Sequence, residues 1–440
     1  MIASLVDPTL FRDFCFRGEG RANIVISAKC VKSGRRIVWR IGKDRKTGAV
    51  AADPRNQLIV DYIKQQIVPL MGRKFLLVPR LVSFRPSDLH YIAKLPSLPA
   101  TVKVTDFECL KDEKELPASL SVFPMRMAEA LTSFVDALEM ADLTRIEKKG
   151  RGLHGPRITV EIKPKQGFAQ LQAGAPVPYC NNCIFQIEKC HAGNFETMYD
   201  FCPLDLFSGD LRRMRRAIRA LIRDPHRNLR VFVEGALVHS DEEPLADADL
   251  ESIFFPNRHA ELDHFVDALC YILAGATRNA DSAPFSLHDD GVLGRILAAQ
   301  RQDTVGILRA FELWQSLPEE VQTELKSPTA LYFNGLDIES MEPRALLLRY
   351  LLAATVKDCS IMLTLRAMDT DTRADVNQEG VIKLPGTSLA FAYHVSVVDL
   401  DPKTPKNLIS SQRRFLDGVK IIQAKGVSRP PCFDPFEFNE

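Results

Sequence analysis

Val160-Glu161-Ile162-Lys163-Pro164-Lys165-Gln166-Gly167-Phe168 closes an apolar run with charge. Residues 157–163 read as a strand, and on a strand Glu161, Lys163 and Lys165 alternate onto one side. Pro164 stiffens the end of the segment and removes a backbone N–H. Two lysines held on one side of a rigid segment suit polyphosphate. The same pattern also describes an edge strand guarded by charge. A second stretch poses a similar choice, because Lys357-Asp358 interrupts the apolar sequence of residues 351–365. A buried carboxylate is costly unless it is paired or metal-bound. Asp358 therefore reads either as a group that takes a hydroxyl proton or orients a nucleophile, or as a helix cap that satisfies backbone N–H groups beside Cys359-Ser360.

Outward from these stretches, strands and helices are interleaved, with no repeat and no low-complexity tract. Strands are expected at residues 23–28 and 36–41 around a turn at 31–34, and at 75–82, 360–365 and 389–398. Helices are expected at 56–71, 125–139, 210–223, 260–274, 294–315 and 343–354. Residues 141–144 read as a break, and the polar, glycine-rich residues 148–155 as a linker. Residues 369–383 read as a charged loop and 427–440 as a ragged tail. The fold class is α+β, in two parts: residues 1–146 and residues 147–440.

Hydrophobic residues make up 46% of the 440 and charged residues 26%, near globular averages, so the chain can bury a sizeable core. A net charge of +1, from 57 basic and 56 acidic residues, argues against a nucleic-acid coat or a polybasic membrane binder. Residues 1–16 lack a secretory pattern, and no apolar run approaches the roughly 18 residues of a membrane span. A soluble monomer of the cytoplasm or nucleus is expected. The ten cysteines are then free thiols or metal ligands rather than a disulfide framework.

Four further constellations carry possible chemistry. In Arg17-Gly18-Glu19-Gly20-Arg21-Ala22-Asn23 a Gly-x-Gly turn lets backbone N–H groups approach phosphate, or simply makes a tight hairpin. Arg40 on the next strand is either a phosphate cation or an edge-strand charge. Asp399-Leu400-Asp401-Pro402-Lys403 ends a strand in carboxylates able to hold Mg²⁺, or is a polar turn. Cys180 and Cys183 form a C-x₂-C pair, and Cys190, His191 and Cys202 follow. That supplies one tetrahedral zinc, with Cys180, Cys183, His191 and Cys202 the candidate ligands; free thiols are the alternative. Cys432 has no such neighbours in sequence. Residues 212–223 give a helix with a basic face, which reads as solvated, whereas Arg227-Asn228-Leu229-Arg230 before a Val-Phe-Val strand is a better anion contact.

In order, Arg17 to Gly20 with Asn23, Glu161 to Phe168, Cys202-Pro203-Leu204-Asp205-Leu206-Phe207-Ser208-Gly209, Asn228-Leu229-Arg230-Val231-Phe232, Lys357-Asp358-Cys359-Ser360-Ile361-Met362 and Val398-Asp399-Leu400-Asp401 resemble the inositol-pentakisphosphate 2-kinases. The resemblance spans residues 16 to about 401. It implies a two-lobed kinase-like fold with an antiparallel sheet in the first lobe. It also implies an ATP- and Mg²⁺-dependent transferase that phosphorylates the 2-hydroxyl of inositol 1,3,4,5,6-pentakisphosphate to give the hexakisphosphate, phytate.

By position, the resemblance places Gly18, Glu19, Gly20, Arg21, Ala22, Asn23 and Arg40 at the nucleotide phosphates, Asp142 at the adenine hinge and Glu161 at the ribose. Asp399 would hold Mg²⁺. Lys163 would touch the transferred phosphate, and Asp358 would be the catalytic carboxylate at the hydroxyl. Arg45, Arg126, Lys165, Asn228, Arg230 and Lys403 would clamp the substrate. No His-Arg-Asp or Asp-Phe-Gly motif is present, which disfavours a protein substrate. A catalytically silent inositol-polyphosphate sensor or scaffold is the alternative. A zinc-dependent RNA adapter would need an aromatic-studded basic surface, and only 8% of the residues are aromatic.

Overall fold

The computed structural model describes residues 3–19, 23–42, 55–85, 88, 135–145, 152–257, 260–276, 284–326, 339–369, 380–425, 427 and 429–433. The chain forms two compact units, Met1–Asp61 with Leu77–Ile146, and Tyr62–Leu76 with Glu147–Glu440. Secondary structure is mixed α+β with one six-stranded sheet in each unit.

The first sheet contains β1 (Ser4–Leu5), β2 (Phe11–Glu19), β3 (Asn23–Cys30), β4 (Arg36–Gly42), β5 (Arg80–Phe84) and β6 (Val135–Ala141), in the order β1-β5-β6-β4-β3-β2. Alternation decides which face is buried: Ile24, Ile26 and Ala28 on β3 and Trp39 and Ile41 on β4 are all enclosed. Trp39 sits at the centre, with Phe11 at 4.8 Å and Phe84 at 5.3 Å between ring centroids. Its indole N–H donates to Glu139 at 3.0 Å. β6 corrects the expected helix at 125–139: from Val135 on, the chain is strand, paired to β4 and β5 on either side. Two cross-strand partners outweigh local helix propensity there. Residues 125–134 lie outside the described residues.

The second sheet contains β7 (Ile158–Ile162), β8 (Leu229–Val233), β9 (Ala236–His239), β10 (Ser360–Met368), β11 (Val381–Lys383) and β12 (Ala390–Val398). Its order is β11-β12-β10-β7-β8-β9, and every pairing is antiparallel. A core of Cys183, Ile184, Ala310, Leu347, Leu351 and Phe415 joins the helices Asn181–His191, Gly306–Ser316, Pro343–Lys357 and Pro405–Lys425. Gly418 is where two of these helices touch, since a Cβ there would lie 2.6 Å from Ile184.

Three sequence readings change in this unit. The helix expected at 294–315 is two helices, Val292–Gln300 and Gly306–Ser316. The break is chemical: the Asp303 carboxylate accepts from the backbone N–H groups of Val305 (3.1 Å) and Gly306 (2.7 Å), and Gly306 takes a positive φ of 78°. Pro405–Lys425, unassigned from sequence, is a helix of 21 residues. The segment after it is not ragged throughout, because the Arg429 guanidinium donates to Gln186 Oε1 (2.6 Å) and to the carbonyls of Tyr199 (2.7 Å) and Phe201 (3.1 Å). No helix among the described residues is long and apolar enough to cross a membrane.

Candidate functional site

Antiparallel pairing brings the ends of four interior strands together at one end of the second sheet. Ile162, the last residue of β7, pairs with Ile361 of β10 and with Leu229, the first residue of β8. Ser360, the first residue of β10, pairs with Val398, the last of β12. The residues just outside these ends are Lys163, Asn228, Asp358 and Asp399, so segments far apart in sequence converge without any long-range design beyond the strand register. β7 lies between β8 and β10, which removes the edge-strand reading of its charges.

The geometry is a carboxylate among amines. Lys165 Nζ donates to Asp358 Oδ1 at 3.2 Å, and Lys403 Nζ donates to Asp358 Oδ2 at 2.5 Å. Lys163 Nζ donates to Asp399 Oδ2 at 3.2 Å. The three lysine side chains are about a quarter exposed and the two aspartates about half, at 47% and 50%. Burial alone would raise the Asp358 pKa, but the amines of Lys165, Lys403 and Lys163 outweigh it and hold the carboxyl well below the usual range. Burial pulls Lys165 down, whereas for Lys163 the charges of Asp399, Asp358 and Glu161 overcome burial and raise it. Asp358 follows the helix Pro343–Lys357 as its C-cap. Its carboxylate goes to lysines rather than to backbone N–H groups, so the capping alternative does not describe it.

Two of these residues hold unusual backbones. Lys165 and Asp399 both have φ of 61°, the left-handed region that residues with a Cβ seldom occupy. Simple alternation therefore stops at Ile162, and Lys165 reaches Asp358 through this local reversal. Gly167 is required beside it, because a Cβ there would lie 2.3 Å from the Phe207 ring.

Around this centre, Glu161 accepts from Ser360 Oγ at 3.0 Å and faces Arg230 at 3.9 Å. Asn228 is buried; its amide donates to Tyr199 Oη at 3.2 Å, and its carbonyl accepts from Lys163 N–H at 2.8 Å. Lys357, beside Asp358 in sequence, turns the other way, onto Asp303 Oδ2 at 2.6 Å. Lys189, at the end of the helix Asn181–His191, lies over the Phe195 ring at 5.0 Å. The neighbouring Glu188 is taken by Arg414 at 2.8 Å. Burial and the charges of Arg414 and Lys165 push the Lys189 amine down to about 8.

In the first unit, Asp142 is buried, and Arg17 (2.8 Å), Ser27 Oγ (2.7 Å), Thr144 Oγ1 (2.6 Å) and Thr144 N–H (3.1 Å) all donate to its carboxylate. Burial opposes ionisation, but these partners keep its pKa below the ordinary value. Arg40 lies on β4, between β3 and β6, and is not an edge-strand charge.

The cysteines correct the proposed metal set. The sulfurs of Cys180, Cys183, Cys202 and Cys432 lie within 4.8 Å of one another. Cys180 Sγ is 3.5 Å from Cys183 Sγ and 3.9 Å from Cys202 Sγ. His191, exposed at the helix end, is not in this group. Cys432 replaces it, delivered by the docked segment whose backbone N–H donates to Pro178 O at 2.8 Å. Zinc–thiolate bonds of about 2.3 Å in a tetrahedron put sulfurs about 3.8 Å apart, so these four residues fit zinc.

The sequence pattern described as inositol-pentakisphosphate 2-kinase matches residues 16–414. The chain belongs to the inositol-pentakisphosphate 2-kinase family. It is 26% identical to inositol-pentakisphosphate 2-kinase of Danio rerio, with 95% of this chain and 94% of the relative covered. It is also 26% identical to the Arabidopsis thaliana protein of that name, with 90% of each covered. A Drosophila melanogaster protein of the same name is 32% identical over 23% of this chain and 21% of its own length.

The residues assigned from likeness to the inositol-pentakisphosphate 2-kinases fall into both units. Gly18, Asn23, Arg40 and Asp142 are in the first; Glu161, Lys163, Lys165, Asn228, Arg230, Asp358, Asp399 and Lys403 are in the second. Gly20, Arg21, Ala22, Arg45, Arg126 and the Glu19 side chain lie outside the described residues. Lys189, Gln300, Asp303 and Cys432 were not singled out from sequence. None carries a local motif, and their significance comes from partners far away in the chain.

Proposed function

We propose that this member of the inositol-pentakisphosphate 2-kinase family transfers the terminal phosphoryl group of ATP to the 2-hydroxyl of inositol 1,3,4,5,6-pentakisphosphate, giving the hexakisphosphate. The observation that carries the reading is the convergence of Lys163, Lys165 and Lys403 on Asp358 and Asp399. Five phosphates at about −1.5 to −2 each make a strongly anionic substrate, and the lysines answer that charge. Carboxylates set among them would weaken simple polyanion capture, so they argue for chemistry rather than for a silent scaffold.

In this proposal Asp358 faces the accepting hydroxyl. Its carboxylate takes the hydroxyl proton while the oxygen bonds to the γ-phosphorus and the bond to the β–γ bridging oxygen breaks. Before substrate arrives, Lys165 and Lys403 hold Asp358 strongly acidic. Substrate phosphates compete for both amines, so the carboxylate becomes more basic as the hydroxyl is delivered. Lys163 touches the transferred phosphoryl group, and Lys165, Lys403, Arg230 and the stretch at Asn228 line the inositol phosphates. Glu161 orients the nucleotide. By the family likeness, Gly18, Asn23 and Arg40 are nucleotide-phosphate contacts and Asp142 braces the turn that follows β6, in a kinase-like fold.

The half-exposed oxygens of Asp399 are the hard donors that suit Mg²⁺. That ion, when bound, neutralises charge on the phosphoryl oxygens. The four cysteines would hold a structural zinc. Metal analysis of the purified protein should find about one zinc per chain, and Cys432→Ser should lower both the zinc content and the melting temperature by several degrees. A zinc-free wild type would remove this part.

The test of the main reading is incubation with Mg-ATP and inositol pentakisphosphate, following hexakisphosphate by anion-exchange chromatography. Product from wild type and a rate lower by about 10²-fold or more from Asp358→Asn is expected. No product from wild type, or an unimpaired variant, would overturn it.

A further inference from the structure

The turn that splits the expected long helix at residues 301–305 grips both halves of the lysine–aspartate centre. Gln300, fully buried, accepts from Gly167 N–H at 2.8 Å and donates from Nε2 to Lys165 O at 2.7 Å. One amide thus bridges the two peptide groups that flank Gln166, immediately beside the left-handed Lys165. Gln166 is itself fixed: Asn181 donates to its Oε1 at 2.8 Å, and its Nε2 donates to Phe168 O at 3.1 Å.

Three residues on, Asp303 is buried and holds the other half. Its Oδ2 takes Lys357 Nζ at 2.6 Å, and its Oδ1 takes the N–H groups that start the next helix. Lys357 is also enclosed by the Phe168 and Tyr350 rings, at 5.2 and 5.8 Å. Lys357 is the last residue of its helix and the covalent neighbour of Asp358. Its anchoring therefore fixes the direction in which Asp358 leaves that helix.

We infer that the turn from Gln300 to Asp303, whose two end residues are buried, is a positioning element: Gln300 holds Lys165 and Asp303, through Lys357, holds Asp358, so that amine and carboxylate meet at a set distance. Neither residue touches a reacting group. The physical case is strain and registration. A non-glycine residue at φ 61° persists only where its surroundings over-determine it, and Gln300 bonds to that residue's own carbonyl. The two segments lie 193 residues apart in sequence, and the buried side chains of Gln300 and Asp303 are a common support for both. Loosening such a support by about 1 Å at a reacting centre can cost on the order of 100-fold in rate.

The inference rests on the kinase reading above, and the experiment separates the two. Gln300→Met keeps the length and removes both hydrogen bonds. Gln300→Glu keeps the acceptor for Gly167 N–H and loses the donor to Lys165 O. Asp303→Asn keeps the helix-start acceptors and loses the charge that holds Lys357. Each would be assayed for kcat and KM, for thermal melting, and for affinity for inositol hexakisphosphate by calorimetry. Each Gln300 variant would also be combined with Lys165→Ala.

Wild-type activity with a fall of about tenfold or more in kcat/KM for each single variant is expected, at assay temperatures where the variant remains folded. In the Lys165→Ala background the Gln300 changes should add almost nothing to the loss. Additive losses, or losses that follow melting temperature alone, would overturn the positioning role. If Gln300→Met does not fold, Gln300→Glu and Asp303→Asn carry the test. An inactive wild type would instead overturn the kinase reading, and calorimetry on the same variants would still report whether the lysine segment is held.

Discussion

Two charged regions of the second unit look alike in sequence and differ in how their charge is balanced. Five of the six arginines on the helix Leu211–Arg223 form a salt bridge with a carboxylate: Arg213 and Arg216 on Asp205, Arg215 on Asp267, Arg219 on Asp247 and Asp263, and Arg223 on Asp200. Its other face buries Met214, Ala217, Ile218 and Leu221. At the strand ends, Lys165 and Lys403 share one aspartate, and Lys189 sits close by with its neighbouring glutamate committed elsewhere. Paired charge builds structure; on the proposed reading, charge short of partners is held ready for a ligand that brings its own. The near-zero net charge of the chain conceals this local imbalance.

That comparison is tested most severely at its centre. Asp358→Asn keeps the shape and removes the proposed proton acceptor, and kcat is expected to fall about 10²–10⁴-fold with the fold intact by circular dichroism. Lys165→Met removes a charge-assisted contact, so KM for inositol pentakisphosphate should rise about tenfold or more, and the effect should shrink at high ionic strength. Both are measured by steady-state kinetics.

A pH titration examines Lys189. Burial and neighbouring cations disfavour its charged form, so its pKa lies below the ordinary lysine value, at about 8. The amine is charged below that pH and neutral above it. Affinity for inositol polyphosphate should therefore weaken as pH rises through about 8, and Lys189→Met should weaken binding at pH 7 and remove that step. The smallest effect is expected on the arginine helix. Arg219→Ala, at a partly exposed ion pair, should change stability by about 1 kcal/mol or less and leave kcat/KM unchanged. An activity loss there as large as that of Lys165→Met would break the distinction between the two regions.

Sequence was most informative where chemistry is local. Lys163-Pro164-Lys165 and Lys357-Asp358 stood out because charge interrupts apolar runs, and Asp399 because it ends a strand. Spacing left each with a structural alternative; strand order and register removed the edge-strand one, and Asp358's pairing with lysines removed the cap. Lys357 shows the limit: the residue beside Asp358 serves packing, through Asp303, and nothing in the adjacent letters separates their roles. Cys432 was invisible for the same reason, since its partners precede it by most of the unit. Residues 135–139 read as helix because the two strands that flank them in the sheet are distant in sequence.

The backbone at Lys165 and Asp399 bears on how such a sequence endures. At a φ of 61° glycine is the comfortable occupant and asparagine or aspartate is tolerated, whereas a lysine costs about 1–3 kcal/mol. Selection for a sturdier protein alone would favour glycine at both positions, most strongly at Lys165. Their persistence as lysine and aspartate would mark a lineage still under selection for what those side chains do. A gene copy released from that selection should lose these two residues early, while Trp39 and the rest of the core remain.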